Sequence, residues 1–290
     1  MTGRGYVRRP LLAVGTDAKT VKGLDALGVL TGILYMAPAD LSGFCVCSHC
    51  SPGCKGSCLN TAGRGAFGNV QAARLEKTLL FFQDRPAFEW NLEQDCAALV
   101  RKAERENLVP AVRLNGTSDL PYERIFPELF GAFPTVHFYD YTKVPGRTVG
   151  RNVFLPGFPP NYHLTFSRSE ENDKACRAEL ERGVNVAVVF STRKGSPLPS
   201  TCCGWEVIDG DLTDVRFLDE GKGPGPYVVG LRAKGKARQD TSGFVIDPET
   251  YMAWSETIRG PDAVERKHFG DVEIREHSLV KGCGSPRGTA

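Results

Sequence analysis

The sequence lacks any run of about 18 or more apolar residues, which is the length that a membrane-spanning helix needs. Its first residues, MTGRGYVRRPLLAVGT, also contain too short an apolar stretch for a secretory signal peptide. These two absences exclude the usual sequence signals of membrane and secreted proteins. We therefore expect a cytoplasmic protein with no membrane partner.

A strong net charge is absent too, because 36 Lys and Arg residues against 34 Asp and Glu residues leave a formal charge of +2. Charge alone therefore gives no reason to expect a nucleic-acid partner. Locally basic stretches at both ends and at residues 232–238 are still able to hold phosphate groups. No internal repeat or low-complexity tract is present, and 290 residues suit one large domain.

Cysteine, by contrast, is abundant and unevenly placed. Five of the ten cysteines fall in the loop at residues 43–65: Cys45, Cys47, Cys50, Cys54 and Cys58. Disulfides are rare in a reducing compartment, so clustered cysteines there are more often metal ligands than covalent staples. The spacings C-x-C-x2-C, C-x3-C-x3-C and C-x6-C-x3-C suit zinc or a [4Fe–4S] cluster about equally. Labile disulfides and coincidence are the remaining interpretations.

The rest of the chain alternates between strand and helix patterns. Strands are predicted at residues 11–14, 30–38, 108–114, 135–143, 162–172, 185–192, 206–208, 215–218 and 227–232. Helices are predicted at residues 69–84, 86–106 and 252–258, and after a capping box formed by Ser167 and Glu170. This order predicts an α/β fold with a parallel, barrel-like sheet, a complete or partial TIM-type barrel. We assign residues 1–275 to this single domain and residues 276–290 to a loose tail.

In such a sheet the functional residues lie where the strands end at their carboxyl side. One carboxylate there is usually a turn or capping residue, but several at successive strand ends favour a site for acid and base chemistry. The predicted catalytic residues are Asp209, Asp211 and Asp119. The predicted substrate-binding residues are Asn115, Ser118, Asp140, Tyr141, Ser167, Glu170 and Lys234.

The segment LLAVGTDAKTVKGLDALGVLTGILYMAP resembles the opening of tRNA-guanine transglycosylases and of their phage relatives that insert deazaguanine bases into DNA. The phrase DLSGF at residues 40–44 is similar to the one that carries the base-handling aspartate of that family, and C-x-C-x2-C is similar to its zinc motif. The resemblance implies base exchange on nucleic acid, with Asp40 as a further catalytic residue, a modified base as the second substrate, and zinc as the metal. DNA rather than tRNA is the expected nucleic acid, and a duplex would have to release its target base.

The order of elements is also similar to that of radical-SAM enzymes, in which an N-terminal cysteine loop precedes a parallel βα barrel. That resemblance implies a [4Fe–4S] cluster held by three cysteines, with S-adenosylmethionine as cofactor. The family's C-x3-C-x2-C motif is replaced here by C-x3-C-x3-C.

The combination of a C-x6-C-x3-C-L-N loop with VRLNGTSD further resembles uncharacterised proteins of phages and mobile elements, which would place the protein in the cytoplasm of the host cell. Three hypotheses follow from these resemblances. The chain is a zinc-containing glycosyltransferase that exchanges bases in phage DNA, an iron–sulfur enzyme, or a non-enzymatic zinc protein that binds nucleic acid.

Overall fold

A computed structural model describes residues 5–15, 27–149 and 155–249. The helix predicted at residues 252–258 and the tail at residues 276–290 lie outside these residues, so the domain boundary stays a prediction. Within the described ranges no helix is both long and apolar enough to cross a membrane.

The described residues contain ten β-strands that form one sheet. They are β1 (Leu12–Val14), β2 (Val29–Leu34), β3 (Val109–Arg113), β4 (His137–Thr142), β5 (Tyr162–Ser167), β6 (Val186–Phe190), β7 (Thr201–Cys202), β8 (Trp205–Asp209), β9 (Val228–Arg232) and β10 (Val245–Ile246).

Six α-helices connect or flank these strands among the described residues. They are α1 (Pro52–Gly56), α2 (Gly68–Gln83), α3 (Arg85–Glu106), α4 (Tyr122–Ile125), α5 (Pro127–Ala132) and α6 (Asp173–Glu181). Short 3₁₀ helices occupy Leu59–Thr61, Gly63–Ala66, Arg216–Lys222 and Gly235–Gln239.

The sheet is mostly parallel, as the alternation of strands and helices predicts. Strands β2, β3, β4, β5, β6, β9 and β8 follow one another in parallel, and β1 and β7 are antiparallel additions at the two ends. No pairing among the described residues joins one end of this order to the other, so the sheet is open there. The α/β class with a mainly parallel sheet is confirmed.

One face of the sheet is covered by the long helices. Phe81 of α2 and Phe88 and Leu92 of α3 pack with Val112 and Phe138 of the central strands in the largest apolar core. The opposite face carries Ala111 and Tyr139, which pack with Val215 and Phe217. Alternate residues of each strand therefore point to different layers, as the two-residue period of a strand requires.

Strand β6 has two neighbours along one of its edges. Its first half, at Val186 and Ala187, pairs with β5, and its second half, at Val189 and Phe190, pairs with β10. The other edge pairs with β9 along the whole strand. Strand β5 pairs with β6 only through its last two residues, Phe166 and Ser167, and the chain then leaves the sheet.

Two local predictions are wrong. Residues 216–222 form a 3₁₀ helix rather than a strand, with ion pairs of 3.1 Å from Arg216 to Asp219 and 2.8 Å from Lys222 to Asp219, both at three-residue spacing. Ser167 is the last residue of β5 and α6 begins only at Asp173, so Ser167 and Glu170 do not form a capping box. Cys96 and Cys176 are fully buried core residues.

Candidate functional site

The cysteine loop connects β2 to α2 and is built around the short helix α1. Ser51 caps this helix, because its side chain accepts a hydrogen bond from the backbone nitrogen of Cys54, and Pro52 starts the first turn. The chain turns again at Cys50, whose backbone nitrogen donates to the carbonyl of Cys47. These successive tight turns keep residues 47–58 close together, so that their cysteines gather around one cavity.

Four cysteines of the loop are free thiols: Cys47, Cys50, Cys54 and Cys58. Burial is the largest effect on three of them: it raises the pKa of Cys47 and of Cys58, and it raises the pKa of Cys50 to about 11. Cys54 interacts electrostatically with each of the other three. Cys45 stands apart from this set, because it is disulfide-bonded.

The four free thiols line a cavity of about 360 Å³. The opposite wall is made by residues at or just beyond the carboxyl ends of the parallel strands, including Asn115, Lys143, Ser167 and Arg232. The cysteine loop thus covers the end of the sheet where a parallel α/β fold collects its functional side chains.

The cavity brings together most of the predicted site residues. Its lining includes Asn115, Ser118, Asp119, Tyr141, Ser167, Asp211 and Lys234, together with Cys47, Cys50, Cys54 and Cys58. Asp40, Asp140, Glu170 and Asp209 do not contribute to this lining. Asp40 is instead on the surface, with its carboxylate 3.1 Å from Lys55.

Asp140 lies in the interior rather than in the cavity. Its carboxylate accepts hydrogen bonds from the backbone and side-chain nitrogens of Asn115, at 2.7 and 3.2 Å, and from the hydroxyl of Tyr162 at 2.8 Å. Burial raises the pKa of Asp140 to about 7, against the opposing effect of Arg113. Asp140 therefore fixes Asn115, whose own neighbours Gly116 and Ser118 form part of the cavity wall.

Asp119 is held by two groups at the edge of the cavity. It accepts hydrogen bonds from the backbone nitrogen of Lys143 at 2.7 Å and from Arg147 at 2.9 Å. Arg147 is itself buried and binds both carboxylate oxygens of Glu123, at 2.8 and 2.7 Å. This network ties the loop after β3 to the loop after β4.

Asp209 and Asp211 form an ion-paired cluster on the opposite side. Arg232 contacts both carboxylates, at 2.9 Å and 3.1 Å, and Lys234 lies 2.6 Å from Asp211. The hydrogen bond from Arg232 lowers the pKa of Asp209. Burial acts to raise the pKa of Asp211, but Lys234 and Arg232 outweigh it and lower that pKa, so both carboxylates are ionised.

Glu170 binds the cysteine loop directly. Its carboxylate accepts hydrogen bonds from the backbone nitrogen of Gly53 at 2.6 Å and from the hydroxyl of Ser51 at 2.7 Å. A Cβ atom on Gly53 would lie 2.7 Å from this carboxylate and 2.1 Å from the hydroxyl oxygen of Ser242. Only glycine permits this close approach, so Glu170 fixes the position of α1 above the sheet.

Lys143 is a cation beside the free thiols, together with Lys55 near Cys50 and Arg74 near Cys58. Its amino group donates to Ser167 at 3.1 Å, and it interacts with Cys54 and Cys47. Burial acts to lower the pKa of Lys143, but Cys54, Asp119 and Cys47 outweigh this effect and raise it. Lys143 thus places a positive charge of the cavity wall beside the sulfur atoms.

Sequence reasoning missed the pair formed by Arg113 and Asp214, which are 2.8 Å apart and both line the cavity. Arg113 also lies over the ring of Tyr141, at 4.8 Å from its centre. The hydroxyl of Tyr141 is buried and has no hydrogen-bond partner among the described residues. The signal that could have identified Arg113 is its charge within an otherwise apolar strand.

The donor set can be compared with the two predicted metal groups. The described part of the chain has no group of three or more His, Cys, Asp or Glu side chains placed to hold one metal ion. A single zinc ion needs every one of its thiolate sulfurs at about 2.3 Å from the metal. A [4Fe–4S] cluster distributes its thiolates over separate iron atoms, so four free thiols around one cavity fit its donor chemistry.

Comparisons with known proteins give one result. No curated protein and no solved structure matches the chain. A family model described as gene product 88 matches residues 10–248, which include the cysteine loop and every described strand. The chain belongs to the gene product 88 family.

Proposed function

We propose that this protein is an iron–sulfur enzyme of the radical-SAM-like type, in which three of Cys47, Cys50, Cys54 and Cys58 hold a [4Fe–4S] cluster. The observation that carries the proposal is the position of these free thiols, which face the carboxyl ends of the parallel strands across one cavity. Three thiolate ligands would leave one iron open, and with S-adenosylmethionine bound there the group supplies one-electron chemistry.

The residues of the chain have separate tasks in this proposal. Lys143 offsets the negative charge of the thiolates, and Glu170 holds α1 in place through Gly53. Asn115 and Ser118 shape the opposite wall, where Ser118 donates to the side-chain oxygen of Asn115 at 2.8 Å and Asp140 accepts from its side-chain nitrogen.

The proposal extends to the shape of the sheet. In this proposal strands β2, β3, β4, β5, β6 and β9 curve into a partial βα barrel, and their order and the long helices on one face support it. Experimental coordinates in which these strands are flat would contradict a barrel-like sheet.

Metal analysis after anaerobic purification tests the proposed cluster. We expect brown protein containing iron and acid-labile sulfide, with absorbance in the region of about 400 nm that is typical of cysteine-bound clusters. Colourless protein that contains one zinc ion per chain would contradict the proposal.

Replacing the cysteines one at a time identifies the ligands. We expect three of the variants Cys47→Ala, Cys50→Ala, Cys54→Ala and Cys58→Ala to lose the iron and the fourth to keep it. Cys96→Ala is the control, because Cys96 is a buried thiol of α3 in the apolar core. Loss of iron in all four loop variants, with the control intact, would mean four cysteine ligands and no open iron.

Base exchange on nucleic acid is a second candidate, favoured by one specific observation. Asp211 lines the cavity, and its lowered pKa keeps the carboxylate ionised, as a nucleophile towards a glycosidic carbon must be. Lys234 lies beside Asp211, and Lys236 is exposed two residues further along the chain. Both lysines suit contacts with the phosphates of DNA.

The two candidates differ in what Asp211→Asn would remove. For base exchange, we expect the variant to lose release of guanine from DNA while its metal content is unchanged. For the iron–sulfur enzyme, neither the parent chain nor the variant releases guanine, and the parent chain contains iron. The experiment therefore needs guanine release and metal content measured on the same preparations of both proteins.

A further inference from the structure

A second pair of cysteines lies outside the cavity, at the tip of the hairpin formed by β7 and β8. Cys202 pairs with Trp205, so Cys203 and Gly204 form a two-residue turn between the strands. Their φ angles are 56° and 88°, and both are left-handed. Two left-handed central residues define a type I′ turn, which strongly prefers Asn-Gly, Asp-Gly or Gly-Gly.

Cysteine is an unusual residue for the first position of this turn. A side chain with a Cβ atom is disfavoured at positive φ, and the residues that tolerate it best, Asn and Asp, hydrogen-bond locally. Cys203 offers no such compensation to the backbone. Its presence is explained instead by its neighbour, because the sulfur atoms of Cys202 and Cys203 are 3.6 Å apart.

The two thiols differ in access to solvent. Cys202 is 8% exposed and packs in the apolar cluster beside α6, whereas Cys203 is partly exposed at the turn. The hydrogen bond between them lowers the pKa of Cys202 and raises the pKa of Cys203, so access to solvent, rather than acidity, makes Cys203 the first to react. A small molecule in solution therefore reaches the sulfur of Cys203 first, and the buried sulfur of Cys202 lies 3.6 Å from that atom.

We propose that Cys202 and Cys203 are a redox-active dithiol, which low-molecular-weight disulfides oxidise to a disulfide between the two adjacent residues. The thiolate of Cys203 forms a bond to one sulfur of the small disulfide, whose own sulfur–sulfur bond breaks and releases one thiolate. The thiolate of Cys202 then bonds to the sulfur of Cys203 and releases the second small thiol. The protein gives up two electrons, and the two small thiols take up the two protons that the cysteines lose.

The resulting bond is reversible rather than a permanent staple. Adjacent Cα atoms are about 3.80 Å apart, which is shorter than the separation of about 4.4–6.8 Å that most disulfides have. Strain of this kind makes a disulfide easier to reduce. Neither cysteine belongs to the described lining of the cavity, so the pair is independent of the proposed cluster.

Peptide mass spectrometry tests the proposal on the full-length protein. The reduced chain is treated with glutathione disulfide, alkylated with iodoacetamide and digested with trypsin, which releases residues 195–216 as one peptide containing only these two cysteines. We expect this peptide to be lighter by two hydrogen atoms and free of alkyl groups, and dithiothreitol to restore the doubly alkylated form. A peptide that stays doubly alkylated, or that accumulates bound glutathione, would overturn the proposal.

Two variants separate redox chemistry from folding. Cys203→Asn provides a residue that the type I′ turn prefers, so we expect unchanged or higher thermal stability and no internal disulfide. Cys202→Ser removes the second sulfur, so we expect glutathione to stay attached to Cys203. Release of that glutathione at the parent rate would show that Cys202 takes no part.

Discussion

The carboxylate of Glu170 accepts a 2.6 Å hydrogen bond from the backbone nitrogen of Gly53 and so joins the loop after β5 to the helix of the cysteine loop. These residues are 117 positions apart in sequence, and the same carboxylate also binds Ser51. The position of the free thiols above the sheet therefore depends on a side chain from a distant part of the chain.

We expect Glu170→Ala to loosen the cysteine loop, because it leaves the hydroxyl of Ser51 and the nitrogen of Gly53 without their acceptor. The variant should lose iron several-fold faster than the parent protein to a chelator, and the loop should exchange its amide hydrogens faster. Glu170→Gln is the matched control, since it keeps an acceptor for Gly53 and should behave much more like the parent. Equal iron loss from both variants would show that charge, rather than the hydrogen bonds, matters.

Gly116 provides a stability test of the cavity wall. A Cβ atom there would lie 2.7 Å from the carbonyl oxygen of Leu34 and 2.8 Å from a methyl group of Ile33. We expect Gly116→Ala to lower the free energy of unfolding by about 1–3 kcal/mol, because the backbone of β2 has to move. Gly131→Ala is the control, since that exposed glycine of α5 has open space, and it should be neutral or stabilising by up to about 1 kcal/mol. Urea titration measures both, and similar values for the two variants would contradict the close packing of Gly116.

Lys143 tests the electrostatics of the proposed cluster. Lys143→Met removes the half-buried positive charge beside Cys54, so we expect at least about tenfold weaker iron retention, equivalent to about 1.4 kcal/mol, and a more negative reduction potential. Lys143→Arg keeps the charge and should retain more iron. If both variants have the parent potential, Lys143 does not act on the cluster through its charge.

Asp140 predicts a specific dependence of stability on pH. Its pKa is raised by burial to about 7 in the folded protein, against about 3.9 in an unfolded chain. Between these values the folded state keeps a proton that the unfolded state has lost, so the contribution of Asp140 is complete below pH about 4 and disappears as the pH rises through about 7.

The variant Asp140→Asn isolates this effect, because its neutral amide does not titrate. Urea unfolding at pH values of about 5 and about 7.5 should give a larger decrease in stability for the parent protein than for the variant, with a slope of up to about 1.4 kcal/mol per pH unit. An equal decrease in both proteins would mean that Asp140 stays ionised.

The parallel α/β sheet and the gathering of polar residues at its carboxyl ends could be predicted, because both follow from the period of apolar residues along the chain. The position of Asp140 could also have been derived. Strand β4 continues to Thr142, so Tyr139 and Tyr141 point to one face and Asp140 to the other. The prediction that Asp140 binds substrate does not take this alternation into account.

Other features depend on contacts that no local pattern encodes. The side chain of Glu170 matched a helix capping box, yet its partners lie in the cysteine loop. The spacing of the five cysteines also gave no means to separate Cys45 from the four free thiols. Asp209 and Asp211 were predicted as catalytic residues without the ion pairs to Arg232, which come from a neighbouring strand.

The shared edge of β6 has a practical consequence for shortened versions of the protein. Val189 and Phe190 pair with β10 near the end of the described residues, because β5 covers only the first half of that edge. A chain that stops before Val245 would leave the backbone groups of this apolar half-strand open to pairing with other molecules. Unpaired edges of this kind promote aggregation, so crystallisation trials on trimmed protein should retain the residues through Ile246.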